Sequence, residues 1–236
     1  MQRKYQKTYK DFVLNAIANI PLTQPIFVAD VAKDLSEEYG IDRDKAAAAT
    51  TVAFKRIMDE RKDPSLRRYK KGIYYKTKET AFGECGIKES VLIGRKYLAN
   101  GNGYETSYSL LNVLGLTTQM PTHLSIASNA VKRSHYDSEF GIQVRPPKTT
   151  VTKENRRYLQ LLDAIEAMKT APVDEPHPYR ILAEYMKKYN LEFATLLVLA
   201  VRHYNSDVLR GIASIAEETE PSCVSRKQGG DGNETP

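Results

Sequence analysis

Tryptophan is absent from this chain, and cysteine and histidine are scarce. There are two cysteines and four histidines among 236 residues. Cys85 and Cys223 stand far apart and match neither a metal-binding nor a redox spacing. His123, His135, His177 and His203 form no HxH, HxxxH or HExxH pattern, so no metal ligands are read from the sequence. Long apolar runs are missing too. The most apolar stretch, Ala194 to Val201, falls far short of the roughly 20 residues that span a bilayer. The first residues carry no apolar segment of the secretory kind. The expectation is a cytoplasmic protein without a membrane partner. No Ser lies in a GxSxG context and there is no Walker-type loop. Gly101-Asn-Gly103 lacks the spacing of a phosphate-binding fingerprint, so no cofactor is assigned.

Charge is present, and it is unevenly placed. Residues 1–80 hold 17 Lys and Arg against 11 Asp and Glu, whereas the remaining residues hold 18 of each. The whole net charge of +6 therefore belongs to the first third. A basic module joined to a neutral remainder fits a polyanionic partner. A solvated lysine-rich surface gives the same count.

The pattern inside that basic third is more specific. Phe12, Val13, Ala16, Ile17 and Ile20 recur at helical spacing until Pro21. Phe27, Val28, Val31, Ala32 and Leu35 make a second stripe, closed by Gly40. Asp42 is placed to cap a third helix over 43–59. On that helix Ala46, Ala49, Ala53 and Ile57 share one side, and Lys45, Ala48, Thr51 and Lys55 share the other. Short and basic side chains suit a helix that enters the major groove. The stretch 66–76 then reads as two short strands about a turn at Lys70-Lys71-Gly72. It carries Arg67, Arg68, Lys70, Lys71 and Lys76 interleaved with tyrosines. Three helices followed by a cationic hairpin are the parts of a winged helix-turn-helix, in which hairpin cations meet phosphates. The DNA-contacting candidates are accordingly Lys45, Thr51, Lys55, Arg67, Arg68, Lys70, Lys71 and Lys76.

The expected fold class is α+β, in four parts. Residues 1–78 form the winged helix-turn-helix and 79–150 a small α/β subdomain. Residues 151–216 form a helical bundle and 217–236 a disordered tail. In the middle part, 104–115 reads as a helix, and 122–129 and 140–145 as strands. In the bundle the run 193–201, apolar nearly all round, reads as a central core helix. Thr117, Thr118 and Gln119 are placed either to support a turn before Pro121 or to form a partner-binding loop.

Three stretches carry a family resemblance: Lys71-Gly-Ile-Tyr-Tyr-Lys76, Tyr104-Glu-Thr-Ser-Tyr-Ser-Leu-Leu-Asn-Val-Leu-Gly-Leu-Thr-Thr-Gln-Met-Pro121 and Ile126-Ala-Ser-Asn129. Together, over roughly residues 9–150, the chain resembles the AbiE-type antitoxins of bacterial abortive-infection, type IV toxin–antitoxin systems. The resemblance implies a transcriptional autorepressor that binds repeats in its own promoter DNA and counteracts a nucleotidyltransferase-like toxin without needing a stable complex with it. Operators built of repeats commonly recruit two copies, so a homodimer is a further expectation. No catalytic residues are assigned. Two other readings stay open: a nucleic-acid-modifying enzyme, with Cys85, His123 and Asp137 as the arrangement to check, and a protein-interaction module that uses the same helices.

Overall fold

The structure is a computed structural model, and it describes residues 8–219. The protein is mixed α+β and divides after Ile93 into two compact units.

The first unit starts with a reciprocal cap. The Thr8 hydroxyl accepts from the Asp11 amide, and the Asp11 carboxylate accepts from the Thr8 amide, which opens helix α1, Tyr9–Ala18. A short strand, β1 (Ile26–Phe27), runs directly into α2 (Val28–Tyr39). Gly40 ends α2 at φ +61°, a conformation that glycine adopts without steric cost. Asp42 accepts from the amides of Asp44 and Lys45 and opens α3, Arg43–Asp59, over the residues expected. The hairpin follows as β2 (Leu66–Lys70) and β3 (Ile73–Lys76). With β1 these strands make an antiparallel sheet in the order β1-β3-β2. Val13, Ile17, Val31, Phe54, Ile57 and Leu66 fill the core between the three helices and the sheet. A two-residue hairpin, β4 (Glu79–Thr80) and β5 (Gly83–Glu84), and a short helix α4 (Glu89–Ile93) complete the unit.

The second unit opens with a π-helical turn over Gly94–Leu98 and a short 3-10 turn. It continues with β6 (Gly103–Glu105), α5 (Ser107–Val113), β7 (Leu124–Ser128), β8 (His135–Asp137) and β9 (Ile142–Arg145). The four strands form a mixed sheet in the order β6-β7-β9-β8, in which β7 and β9 run parallel. Four helices follow: α6 (Arg156–Ala167), α7 (Pro178–Lys188), α8 (Phe193–His203) and α9 (Ser206–Thr219).

Several expectations are corrected here. The segment 104–115 is not one helix. Tyr104 and Glu105 belong to β6, where they pair with Ala127 and Ile126. The divide expected at 150 runs through a shared core, because Leu110, Leu111 and Leu116 pack in one cluster with Leu162, Leu182, Leu196 and Ile212. The fully buried Asp163 carboxylate draws the same parts together. It accepts from Thr106 after β6, Arg145 on β9 and Tyr204 after α8. The segment 79–93 belongs to the first unit and 94–150 to the second. Glu217–Thr219, expected in the tail, are the last turn of α9; the rest of the expected tail, residues 220–236, lies outside the residues described. The run 193–201 is not a central core helix. Only Leu196 and Ala200 of α8 are buried, and Leu197, Val198 and Val201 face outward.

The bundle packs tightly at Gly211 of α9, where a Cβ would collide with Cγ2 of Ile165 on α6. Both positions are buried, so the clash has no solvent side on which to relax. Gly211→Ala is expected to lower unfolding stability by about 1–3 kcal/mol in a urea titration, although alanine favours helix.

Candidate nucleic-acid interface

The placement of α3 against the sheet follows from two rings. Phe54 stacks on Tyr74 of β3 with ring centroids 4.6 Å apart and planes 22° from parallel, and both side chains are buried. Directly opposed residues in an antiparallel pair project to the same face. Arg68 opposes Tyr74, so Arg68 shares the face that meets α3; Arg67 opposes Tyr75 and projects from the other face. Past Arg68 the register shifts at Tyr69, and the chain turns through Lys71-Gly72. Gly72 adopts φ +79°, and its carbonyl accepts from the amide of Val28 at 2.9 Å, which ties the turn to the start of α2.

The result is an open cleft of about 520 Å³ between α3 and the hairpin. Thr51, Val52 and Lys55 line it from α3, and Arg68 and Lys71 line it from the hairpin. Met58 and Asp59 stand at the C-terminal end of the helix side. Three cations thus face one carboxylate. Thr51 donates its hydroxyl hydrogen to the carbonyl of Ala47, so toward the cleft it offers only acceptor lone pairs and a methyl. Lys55, Arg68 and Lys71 are exposed.

The other four candidates lie elsewhere. Arg67 makes a two-pronged pair with the Glu84 carboxylate and also donates to the carbonyls of Pro64 and Leu66. That pairing holds the Glu84 carboxyl below the usual carboxylate range. Arg67 thus ties β2 to the β4–β5 hairpin. Lys76 donates to the carbonyl of Ala18 at 3.0 Å and satisfies the C-terminal end of α1, where a cation is favoured. Lys45 is exposed in the first turn of α3, outside the cleft lining. Lys70 is exposed beside the turn, with its ammonium 5.7 Å from the Tyr69 ring centre.

Sequence reasoning misses Val52. It is 47% exposed and lies on the helix face between Lys45 and Lys55. The signal is available, since 100° per residue puts position 52 within about 20° of position 45. The sequence reading also groups Arg67 with Arg68, although the period of a strand sends neighbours to opposite faces.

In the second unit, the residues singled out for chemistry have structural partners. Asp137 accepts from Lys96 and Tyr97. Burial would raise its carboxyl, but these bonds together with the Glu139 amide outweigh it and hold the group at about 2. The His123 ring packs edge-on to Tyr136. Asp174 accepts from the amide and hydroxyl of Thr118 and from the hydroxyl of Thr117, and Asn112 donates to the carbonyls of Thr117 and Gln119. The Thr-Thr-Gln string therefore braces the turn after α5. Among the described residues, no group of three or more His, Cys, Asp or Glu is placed to hold a metal ion. No described helix is long and apolar enough to cross a membrane.

No protein-family model matches the chain, and no curated protein matches it either.

The cleft depends on the hairpin turn keeping its shape. A Cβ on Gly72 would meet nothing within 4 Å, so the cost of Gly72→Ala is the left-handed backbone alone. This variant is expected to lose about 1–2 kcal/mol of stability in denaturant unfolding. A loss near zero would mean that the turn does not hold this conformation.

Proposed function

We propose that the first unit is a winged helix-turn-helix that binds double-stranded DNA, with α3 in the major groove and the β2–β3 hairpin on the flanking backbone. The observation that carries this reading is the cleft in which Thr51, Val52 and Lys55 of α3 stand beside Arg68 and Lys71 of the hairpin. A helix with small exposed residues can approach base edges, while cations beside it neutralise phosphates. Ala48 and Val52 present methyl groups on the exposed face of α3, which suit contact with the methyl of thymine. Lys55 is placed for a base edge or a phosphate, and Arg68 and Lys71 for phosphates. Arg67 and Lys76 act inside the fold.

The wider role rests on the resemblance to AbiE-type antitoxins. We propose that the chain represses its own promoter and counteracts a nucleotidyltransferase-like toxin encoded beside it, without catalysis of its own. The Thr117–Gln119 string is held in the turn after α5 by Asp174 and Asn112, with Thr118 and Gln119 exposed there.

The test is a mobility-shift titration with DNA from upstream of the gene at two salt concentrations. Arg68→Ala with Lys71→Ala is expected to weaken binding on all sequences by roughly tenfold or more and to reduce the salt slope by about 2, one for each phosphate that is no longer neutralised. Lys55→Ala should weaken binding as well. Arg67→Ala and Lys76→Ala should leave the salt slope unchanged. Equal weakening by Arg67→Ala and by the double variant would remove the cleft from the proposal, and absence of binding by the native chain would remove the function.

A further inference from the structure

Helix α3 has a second flank. Val52 lines the cleft toward the hairpin, and it also lines an open groove of about 530 Å³ on its other side, between α3 and α1. Tyr9 and Lys10 form the α1 wall of that groove, and Ala49, Ala53 and Arg56 form the α3 wall. Helical geometry makes the division. Consecutive residues stand about 100° apart around the axis, which sets Lys55 about 60° to one side of Val52 and Arg56 about 40° to the other. Lys55 therefore belongs to the hairpin cleft and Arg56 to the α1 groove.

The groove has an apolar floor and a cationic rim. The ring of Tyr9 meets Tyr39 edge-on with centroids 5.1 Å apart, which steadies the α1 wall. Lys10 is bonded to the Glu60 carboxylate at 2.8 Å. Arg56 is exposed, and among the described residues its guanidinium forms no hydrogen bond and no ion pair; it acts on Glu60 only through space. The chain reaches the groove at Thr8, and the seven residues before Thr8 in sequence hold Arg3, Lys4 and Lys7 and no acid.

The width of the major groove selects the occupant. A helix with its side chains is about 10–12 Å across, and the major groove of B-DNA is about 12 Å wide. A helix seated there has one sugar–phosphate backbone along each flank. The hairpin cleft accounts for one strand. The α1 groove matches the other, with alanines and Val52 toward the sugar carbons and Arg56 and Lys10 toward the phosphates. We infer that the α1–α3 groove binds the backbone of the second strand: Arg56 and Lys10 meet phosphates of the strand opposite to the one met by Arg68 and Lys71, so that α3 is held from both sides. The inference rests on the DNA reading and adds to it a site on the helix flank away from the hairpin.

The test uses the full chain and duplex DNA from upstream of the gene. In salt titrations Arg56→Ala should weaken binding on all sequences and lower the salt slope by about 1, with an unchanged melting curve because the side chain is exposed. Arg56→Lys keeps the charge and should keep most of the slope. Combined with Arg68→Ala and Lys71→Ala, the loss of slope should reach about 3. Ethylation interference, with each strand labelled in turn, then assigns the phosphates. Arg56→Ala should abolish interference on one strand, and Arg68→Ala should abolish it on the other, across the major groove. A slope that ignores Arg56→Ala, or interference lost on the same strand for both variants, would overturn this inference and leave the hairpin cleft standing. A native chain that does not bind the duplex would remove the DNA reading and this inference with it.

Discussion

Phe54 and Tyr74 stack face to face between the third helix and the middle strand of the first sheet, and the geometry of the candidate interface depends on this contact. Each ring is buried, and each belongs to a segment that also lines the cleft. On the helix, Thr51 and Lys55 flank Phe54. On the sheet, Arg68 is the cross-strand partner of Tyr74. An aromatic pair adds about 0.5–1.5 kcal/mol beyond the burial of its area, and it also fixes the rotation of α3 about its axis. With that rotation set, the small and basic residues of α3 face the hairpin cations.

The rest of the first unit supports the same arrangement. Gly40 and Asp42 end one helix and begin the next within three residues, so α2 and α3 must cross closely. The bond from Val28 to the Gly72 carbonyl fastens the hairpin turn to α2. Arg67 and Lys76 spend their charge on Glu84 and on the end of α1, and they hold the sheet in place. Of five hairpin cations that look alike in sequence, two hold the fold and two line the cleft. Strand alternation and helix-end chemistry make the distinction; net charge does not.

The first unit is largely legible in the sequence because its signals are local. The Asp42 cap, the Gly40 stop and the Gly72 turn each act within a few residues, and α3 runs over the residues expected. The second unit is less legible because its determinants are distant. Tyr104 and Glu105 are strand because they pair with Ala127 and Ile126, about twenty residues on, and β8 is a strand because it pairs with β9. Asp163 gathers Thr106, Arg145 and Tyr204 from separate elements, and no window of sequence contains that network. In α8 the apolar character reads as burial, whereas it is divided between a core face and an exposed face. Hydropathy registers how apolar a helix is and not how many sides of it are covered.

The central claim is that α3 and the hairpin act as one surface toward duplex DNA. The most direct measurement is amide chemical-shift mapping of the full chain, isotopically labelled, as duplex from upstream of the gene is added. The account expects the largest shifts at Thr51, Val52, Lys55, Arg68 and Lys71, with Arg67 and Lys76 little moved. Shifts that cluster in the second unit, or on the Arg67 side of the sheet, would contradict it.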